Sequence, residues 1–208
     1  MKETLLFLGQ AIRNYRTAGT FTQSRPALAR AIADAVGDVS NGQVLLELGP
    51  GTGVVTRELM VRYPRARIVA VEVLEAFASR LEAAAPGVTV VRGCASRLDA
   101  HLAALGIDTD EVAAVVSGLP MLSLPDDLPR QILGSVAGVL RPGRRYVQFT
   151  YFKRAWRRFT LDGFRQLARR RVWLNMPPAY VLTFERDSEE LTATTGAATG
   201  AETCAGKS

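Results

Sequence analysis

Val44-Leu45-Leu46-Glu47-Leu48-Gly49-Pro50-Gly51-Thr52-Gly53-Val54-Val55-Thr56 is the stretch on which the fold turns. Its apolar run reads as a buried parallel strand that ends in a glycine-rich turn. Gly49, Gly51 and Gly53 allow positive φ and let the backbone come close to a ligand. The residues after the turn, Val54 to Met60, read as a helix. Strand, glycine turn and helix together open a Rossmann-like βαβ unit. Two details point away from a dinucleotide. The spacing is G-x-G-x-G, without the offset that packs a pyrophosphate. Glu47 stands two residues before the first glycine, where a carboxylate repels phosphates and suits a cationic ligand.

Outward from this stretch, the order of elements is regular. Arg67 to Glu72 is a second strand ending in an acid, nineteen residues beyond Gly53. An acid there can accept hydrogen bonds from both hydroxyls of a ribose. A helix over 75–85 leads to a third strand, Val88 to Val91, and to the turn Arg92-Gly93-Cys94-Ala95-Ser96. After a helix from Arg97 to Leu105, a fourth strand, Val112 to Ser117, runs into Gly118-Leu119-Pro120-Met121. A helix over 126–140 closes at Arg141-Pro142-Gly143, and Tyr146 to Phe152 is a fifth strand. The basic, aromatic stretch 153–171 reads as an insertion or helix. Val172–Asn175 and Tyr180–Glu185 read as two strands around Pro177-Pro178. Before the glycine turn, residues 2–18 can form an amphipathic helix with Leu5, Leu8, Ile12 and Tyr15 on one stripe. Such a helix packs on its own domain or lies in a lipid interface. A loop, Gly19 to Pro26, leads into a helix over 26–37 with Leu28, Ile32 and Val36 facing inward. Ser40-Asn41-Gly42 turns into the first strand. Residues 188–208 are rich in Thr, Ala and Gly, and disorder is expected there.

Composition narrows the class. A chain of 208 residues fits one domain with a full core, expected over 1–187. No apolar run reaches the roughly 18 residues of a membrane span. No signal peptide is read at the N-terminus, and Cys94, Cys204 and the single His101 offer neither a disulfide framework nor a metal cluster. The expected compartment is the reducing cytoplasm. The net charge of +6 is unevenly spread: residues 141–171 hold eleven Lys and Arg against Asp162 alone, which leaves the remainder at −4. A solvated surface accounts for any single arginine. The cluster suits an anionic partner, and near a charged bilayer each Lys or Arg adds about 1 kcal/mol.

The glycine stretch and Glu72 together resemble motif I and the following acidic strand end of class I S-adenosylmethionine-dependent methyltransferases, whose donor carries a sulfonium and an ammonium. That resemblance implies an α/β fold: a Rossmann-like, seven-stranded, mostly parallel sheet with helices on both faces and a C-terminal antiparallel hairpin. It implies S-adenosylmethionine as cofactor and no metal. It implies donor contacts from Glu47, Gly49, Gly51, Gly53, Glu72 and Val73. Ala95 and Ser96 would border the adenine, although Ser96 serves equally as a helix cap. Thr22, Gln23 and Ser24 would reach the methionine carboxylate, with plain capping the better reading of Ser24. Ser117, Gly118 and Leu119 stand where the methyl meets its acceptor.

Over its ordered length the chain is further similar to the bacterial phospholipid N-methyltransferases, which convert phosphatidylethanolamine stepwise to phosphatidylcholine. The likeness rests on the N-terminal helix, Thr20–Ala31, Glu47–Gly53, Ser117-Gly118-Leu119-Pro120 and Gln148-Phe149-Thr150-Tyr151. It implies a monomer on the inner face of the cytoplasmic membrane, an anionic membrane surface and a phospholipid as partners, and no nucleic acid. Tyr15 and Tyr151 become candidates to accept the amine proton or face the methylated cation, and Arg25 and Lys153 to pair with the lipid phosphate. Each tyrosine taken singly is more often core. The chain departs from that family after Tyr151: a glycine-proline loop is common there, and this sequence has Phe152-Lys153-Arg154-Ala155-Trp156. The rRNA adenine dimethyltransferases are the rival within enzymes. Their strand-four motif carries an Asn and an aromatic ring where this chain has Gly118 and Met121, a loss of a hydrogen bond and a stacking partner that costs a few kcal/mol, on the order of 2–4. A non-catalytic membrane-binding module on the same fold is the rival of another class.

Overall fold

The computed structural model describes residues 26–125, 127–151, 161–175 and 177–188. The expected N-terminal helix, and with it Tyr15, Thr22, Gln23, Ser24 and Arg25, lies outside the described residues, as do Lys153 and the C-terminal tail.

The strands are β1 (Val44–Leu48), β2 (Arg67–Glu72), β3 (Thr89–Arg92), β4 (Val112–Ser117), β5 (Arg145–Thr150), β6 (Phe164–Val172) and β7 (Ala179–Arg186). The helices are α1 (Pro26–Val36), α2 (Val54–Arg62), α3 (Glu75–Ala84), α4 (Leu98–Ala104) and α5 (Leu128–Val139). The seven strands form one sheet in the order β3-β2-β1-β4-β5-β7-β6. The first five pair in parallel, and β7 runs antiparallel to both β5 and β6. This is the Rossmann-like seven-stranded arrangement expected. Its chain order reverses between β1 and β4, which creates the crevice where ligands bind at the carboxyl ends of such sheets.

Burial on both faces explains why the inner strands are apolar throughout. All five residues of β1 and all six of β4 are buried. One face packs Leu46, Leu48 and Val115 against Leu98 and Leu102 of α4 and Ile132 and Val136 of α5. The other packs Leu45 and Val116 against Leu28 and Ile32 of α1, Leu59 of α2 and Leu81 of α3. Each such side chain contributes about 1.5–3 kcal/mol on burial.

The structure corrects the reading of the C-terminal third. Residues 164–171, expected within an insertion or helix, are strand, and Trp173–Asn175, expected to continue a strand, form the turn between β6 and β7. The physical reason is the place of β6 at the sheet edge. One flank has no partner strand among the described residues, so it tolerates exposed Arg165, Arg169, Arg170 and Arg171, which hide the period-2 signal and guard the edge against further pairing. The helix expected from Arg97 is also divided: a 3₁₀ turn over Ala95–Arg97 precedes α4. Ser96 does not cap it. Its hydroxyl donates to Cys94 Sγ at 3.2 Å, and the Leu98 amide is capped from α5, by Ser135 Oγ at 2.8 Å.

Candidate active site at the switch point

The glycine turn after β1 folds as its sequence demands. Gly49, Gly51 and Gly53 have φ of 66°, 57° and 73°, the left-handed region that other residues rarely adopt. The Gly49 amide donates to the Val71 carbonyl at 2.9 Å, and the Gly118 amide donates to the Leu48 carbonyl at 2.8 Å. The glycine turn and the loop after β4 therefore lie against one another. A Cβ at Gly118 would stand 2.7 Å from the Gly49 carbonyl oxygen, and one at Gly49 would stand 2.6 Å from Leu119 Cδ2. Only glycines permit this approach.

Glu72, at the end of β2, is 4% exposed. Its Oε1 accepts from the Leu74 amide at 2.9 Å and its Oε2 from the Gly51 amide at 3.3 Å. The carboxylate thus ties the glycine turn to the second strand. Glu72 lines a cleft with Gly49, Val73, Gly93, Cys94, Ala95 and Leu119. Leu124 and Ile132 supply its apolar floor. Four of the residues expected to hold a donor (Gly49, Glu72, Val73 and Ala95) meet in this one hollow.

Glu47 is 2% exposed, and its Oε2 has no hydrogen-bond partner among the described residues. Burial pushes its carboxyl up to about 7, the Thr56 hydroxyl works against this, and the charge of Glu72 adds to it. Thr56 Oγ1 faces Glu47 without closing a hydrogen bond of ordinary geometry. A buried carboxylate oxygen left unsatisfied is costly unless a ligand supplies the missing donor.

On the acceptor side, Ser117 is 1% exposed and its Oγ accepts from the Leu119 amide at 3.3 Å. The loop is braced by Gln148 of β5, a residue with no role assigned from sequence. Its Nε2 donates to the Leu119 carbonyl at 3.1 Å and to the Phe149 carbonyl at 2.8 Å, while its Oε1 accepts from the Tyr146 hydroxyl at 2.7 Å. The Tyr146 phenol is raised well above its ordinary value by burial, against a lesser opposing pull from Ser117. The Leu119 carbonyl also accepts from the Met121 amide at 2.9 Å, and the Pro120 carbonyl accepts from Ser123 at 2.8 Å. Two carbonyls of the loop are therefore engaged, and Leu119 contributes by shape. Met121 is buried in the core, 7% exposed, and presents no surface for a planar base to stack on. Tyr151 follows β5 with its ring edge-on to Phe149, centroids 5.9 Å apart. Ser96, which bonds Cys94, is not among the cleft residues. The partner of Gln148 depended on strand register, and only its place in strand five was readable beforehand.

No protein-family model matches the chain. The chain is 31% identical over 183 residues to the ornithine lipid N-methyltransferase of Singulisphaera acidiphila, across 86% of this chain and 94% of that protein. Among solved structures it is similar to TrmN from Thermus thermophilus, with a TM-score of 0.63, 20% identity and 77% of this chain covered; it spans about half, 48%, of that chain. It is equally similar to the 1,6-didemethyltoxoflavin-N1-methyltransferase of Burkholderia thailandensis, solved with S-adenosylhomocysteine, with a TM-score of 0.63, 16% identity and 90% and 89% of the two chains covered. At such identities the structural likeness is one of fold.

Proposed function

The chain belongs to the family of the ornithine lipid N-methyltransferase, and on that premise we propose that it moves a methyl group from S-adenosylmethionine to the primary amine of a membrane-lipid head group. The observation that carries this reading is the contact between the glycine turn and the strand-four loop, where Gly118 packs on the Gly49 carbonyl. It sets a donor cradle beside a loop that offers neither a side-chain amide nor an exposed ring.

The residues fit the donor. Glu72 lines the cleft at the end of β2, where a carboxylate suits ribose hydroxyls. Glu47 Oε2 is buried without a hydrogen-bond partner among the described residues, which suits the ammonium of a methionine moiety. The Ala95 side of the cleft is apolar, which suits an adenine ring. When bound, S-adenosylmethionine supplies a methyl on a sulfonium, an already activated leaving group. The chain's own work is orientation and exclusion of water, which can supply much of such a rate. The Ser117–Leu119 loop holds the amine, with the Gly118 carbonyl to accept an N–H and aim the nitrogen lone pair. Gln148 holds that loop still. Tyr151, the residue after β5, would offer its ring to the cationic product.

Phosphatidylethanolamine and an ornithine lipid share the required chemistry, a primary amine on a short flexible head group. The named relative favours ornithine lipid. The resemblance in Ser117–Pro120 and Gln148–Tyr151 favours phosphatidylethanolamine. The test is incubation of the protein with methyl-labelled donor and, separately, phosphatidylethanolamine vesicles, ornithine lipid vesicles and RNA. Label is expected in at least one of the two lipids, and the pair of lipid arms decides between them. Label in RNA, or in neither lipid, would overturn the proposal.

A further inference from the structure

Trp173 and Leu174 are 65% and 75% exposed, the most exposed aromatic and the most exposed leucine among the described residues. They are neighbours at the tip of the β6–β7 hairpin. Large apolar side chains scattered singly on a surface need no explanation, but two together on a built turn do. The turn is built. Asn175 is 1% exposed, its Nδ2 donates to the Pro177 carbonyl at 2.8 Å, and Pro177-Pro178 stiffens the return into β7. The tip is thus held in place with its apolar residues outward.

Its surroundings are basic. Arg169, Arg170 and Arg171 lead into the tip along β6, all exposed. The Arg171 guanidinium lies 3.5 Å from the Trp173 ring centroid and 5.6 Å from that of Tyr180. Arg170 pairs at 3.4 Å with Asp34, an exposed contact of small worth. An amphipathic aromatic with a guanidinium beside it suits the head-group region of a bilayer, where ring and charge are both accommodated.

The topology places this tip on the functional side of the sheet. β7 begins opposite the end of β5, with Thr150 paired to Tyr180, and β6 ends at Val172 opposite Ala179. The tip therefore projects from the same edge as the glycine turn and the strand-four loop. It lies two to three strand spacings from β4, roughly 10–15 Å. A membrane touching the tip presents its head groups to the strand-four loop.

We propose that the Trp173–Leu174 tip, with Arg169, Arg170 and Arg171, is a docking surface for an anionic lipid bilayer. This inference deepens the lipid reading above and rests on it for its purpose. Apolar side chains enter the interface, and each arginine near an anionic surface is worth about fivefold in partitioning.

The test uses the full chain without methyl donor. A Trp156→Phe variant leaves Trp173 as the sole tryptophan of a sequence that has two. With phosphatidylglycerol vesicles its emission is expected to shift to the blue and to be quenched by bromine-labelled acyl chains, with a smaller response at high salt. Trp173→Ala/Leu174→Ala is expected to lose about tenfold or more in co-sedimentation with the same vesicles. Emission that vesicles do not change would overturn the proposal. So would a spectrum already blue without vesicles, which means that protein covers the tip, an equal response to RNA, or unaltered sedimentation of the double variant. No turnover enters this measurement, so its failure leaves methyl transfer standing. Conversely, a protein that docks through the tip but labels no lipid fails the proposed function alone.

Discussion

Glu47 is a carboxyl whose burial works against its own charge, and its pH behaviour follows from that. Its pKa is about 7 in the fold against an ordinary 4.5. The native state therefore holds a proton that the unfolded chain releases between those values. The sign is fixed: folding is free of this penalty below about pH 4.5, loses stability as pH rises, and bears the full cost, about 3 kcal/mol, above about 7. Glu47→Gln should flatten the melting temperature between pH 5 and 8 and be the more stable protein at pH 8 without ligand; an unchanged slope contradicts this. A cationic donor needs the ionised form. Its affinity for the native protein should rise about tenfold from pH 6 to pH 8, read by calorimetry, and that rise should vanish in Glu47→Gln. Gly118 is the second decisive residue. Gly118→Ala sets a methyl 2.7 Å from a backbone oxygen that cannot swing away. The expected result is a loss of about 1–3 kcal/mol in denaturant unfolding and at least a tenfold fall in turnover. The places of Glu47 and Glu72 near strand ends and of the glycines in the turn were legible because such features are set by short-range geometry. Thr22 to Arg25, Tyr15 and Lys153 remain readings of sequence, since they lie outside the described residues.

The elements that read true are those with both faces buried. β1, β2 and β4 match their expected spans because continuous apolar runs bounded by turns leave little choice. β6 was misread for the converse reason: as an edge strand it buries little, and its arginines erase the alternation that marks a strand. The brace from β5 to the strand-four loop was illegible for another cause. Ser117 pairs with Gln148 only once β4 and β5 are in register, and local sequence does not encode that pairing. Its contribution is measurable. Gln148→Leu removes the Oε1 acceptor of the buried Tyr146 hydroxyl and one of the two donors to the Leu119 carbonyl, at a cost of about 1–3 kcal/mol. Tyr146→Phe combined with Gln148→Leu should recover part of that loss in urea unfolding, because both partners are then apolar. Equal or greater loss in the double variant would show that the pair does not act as a unit.

At the scale of the molecule, one sheet edge gathers the glycine turn, the acid of the second strand, the strand-four loop and the exposed hairpin tip. No helix among the described residues is long and apolar enough to cross a membrane. The uneven charge was visible in composition, while the surface that carries Trp173 and Leu174 appeared only with the hairpin folded. All of this depends on the crevice between β1 and β4 being a donor site. Titration of S-adenosylmethionine into the protein and into Glu72→Ala, followed calorimetrically at pH 8, tests that most directly. One site per chain, weakened at least tenfold by the substitution, is the predicted result; no binding to the unaltered protein, or equal affinity in both, would contradict it.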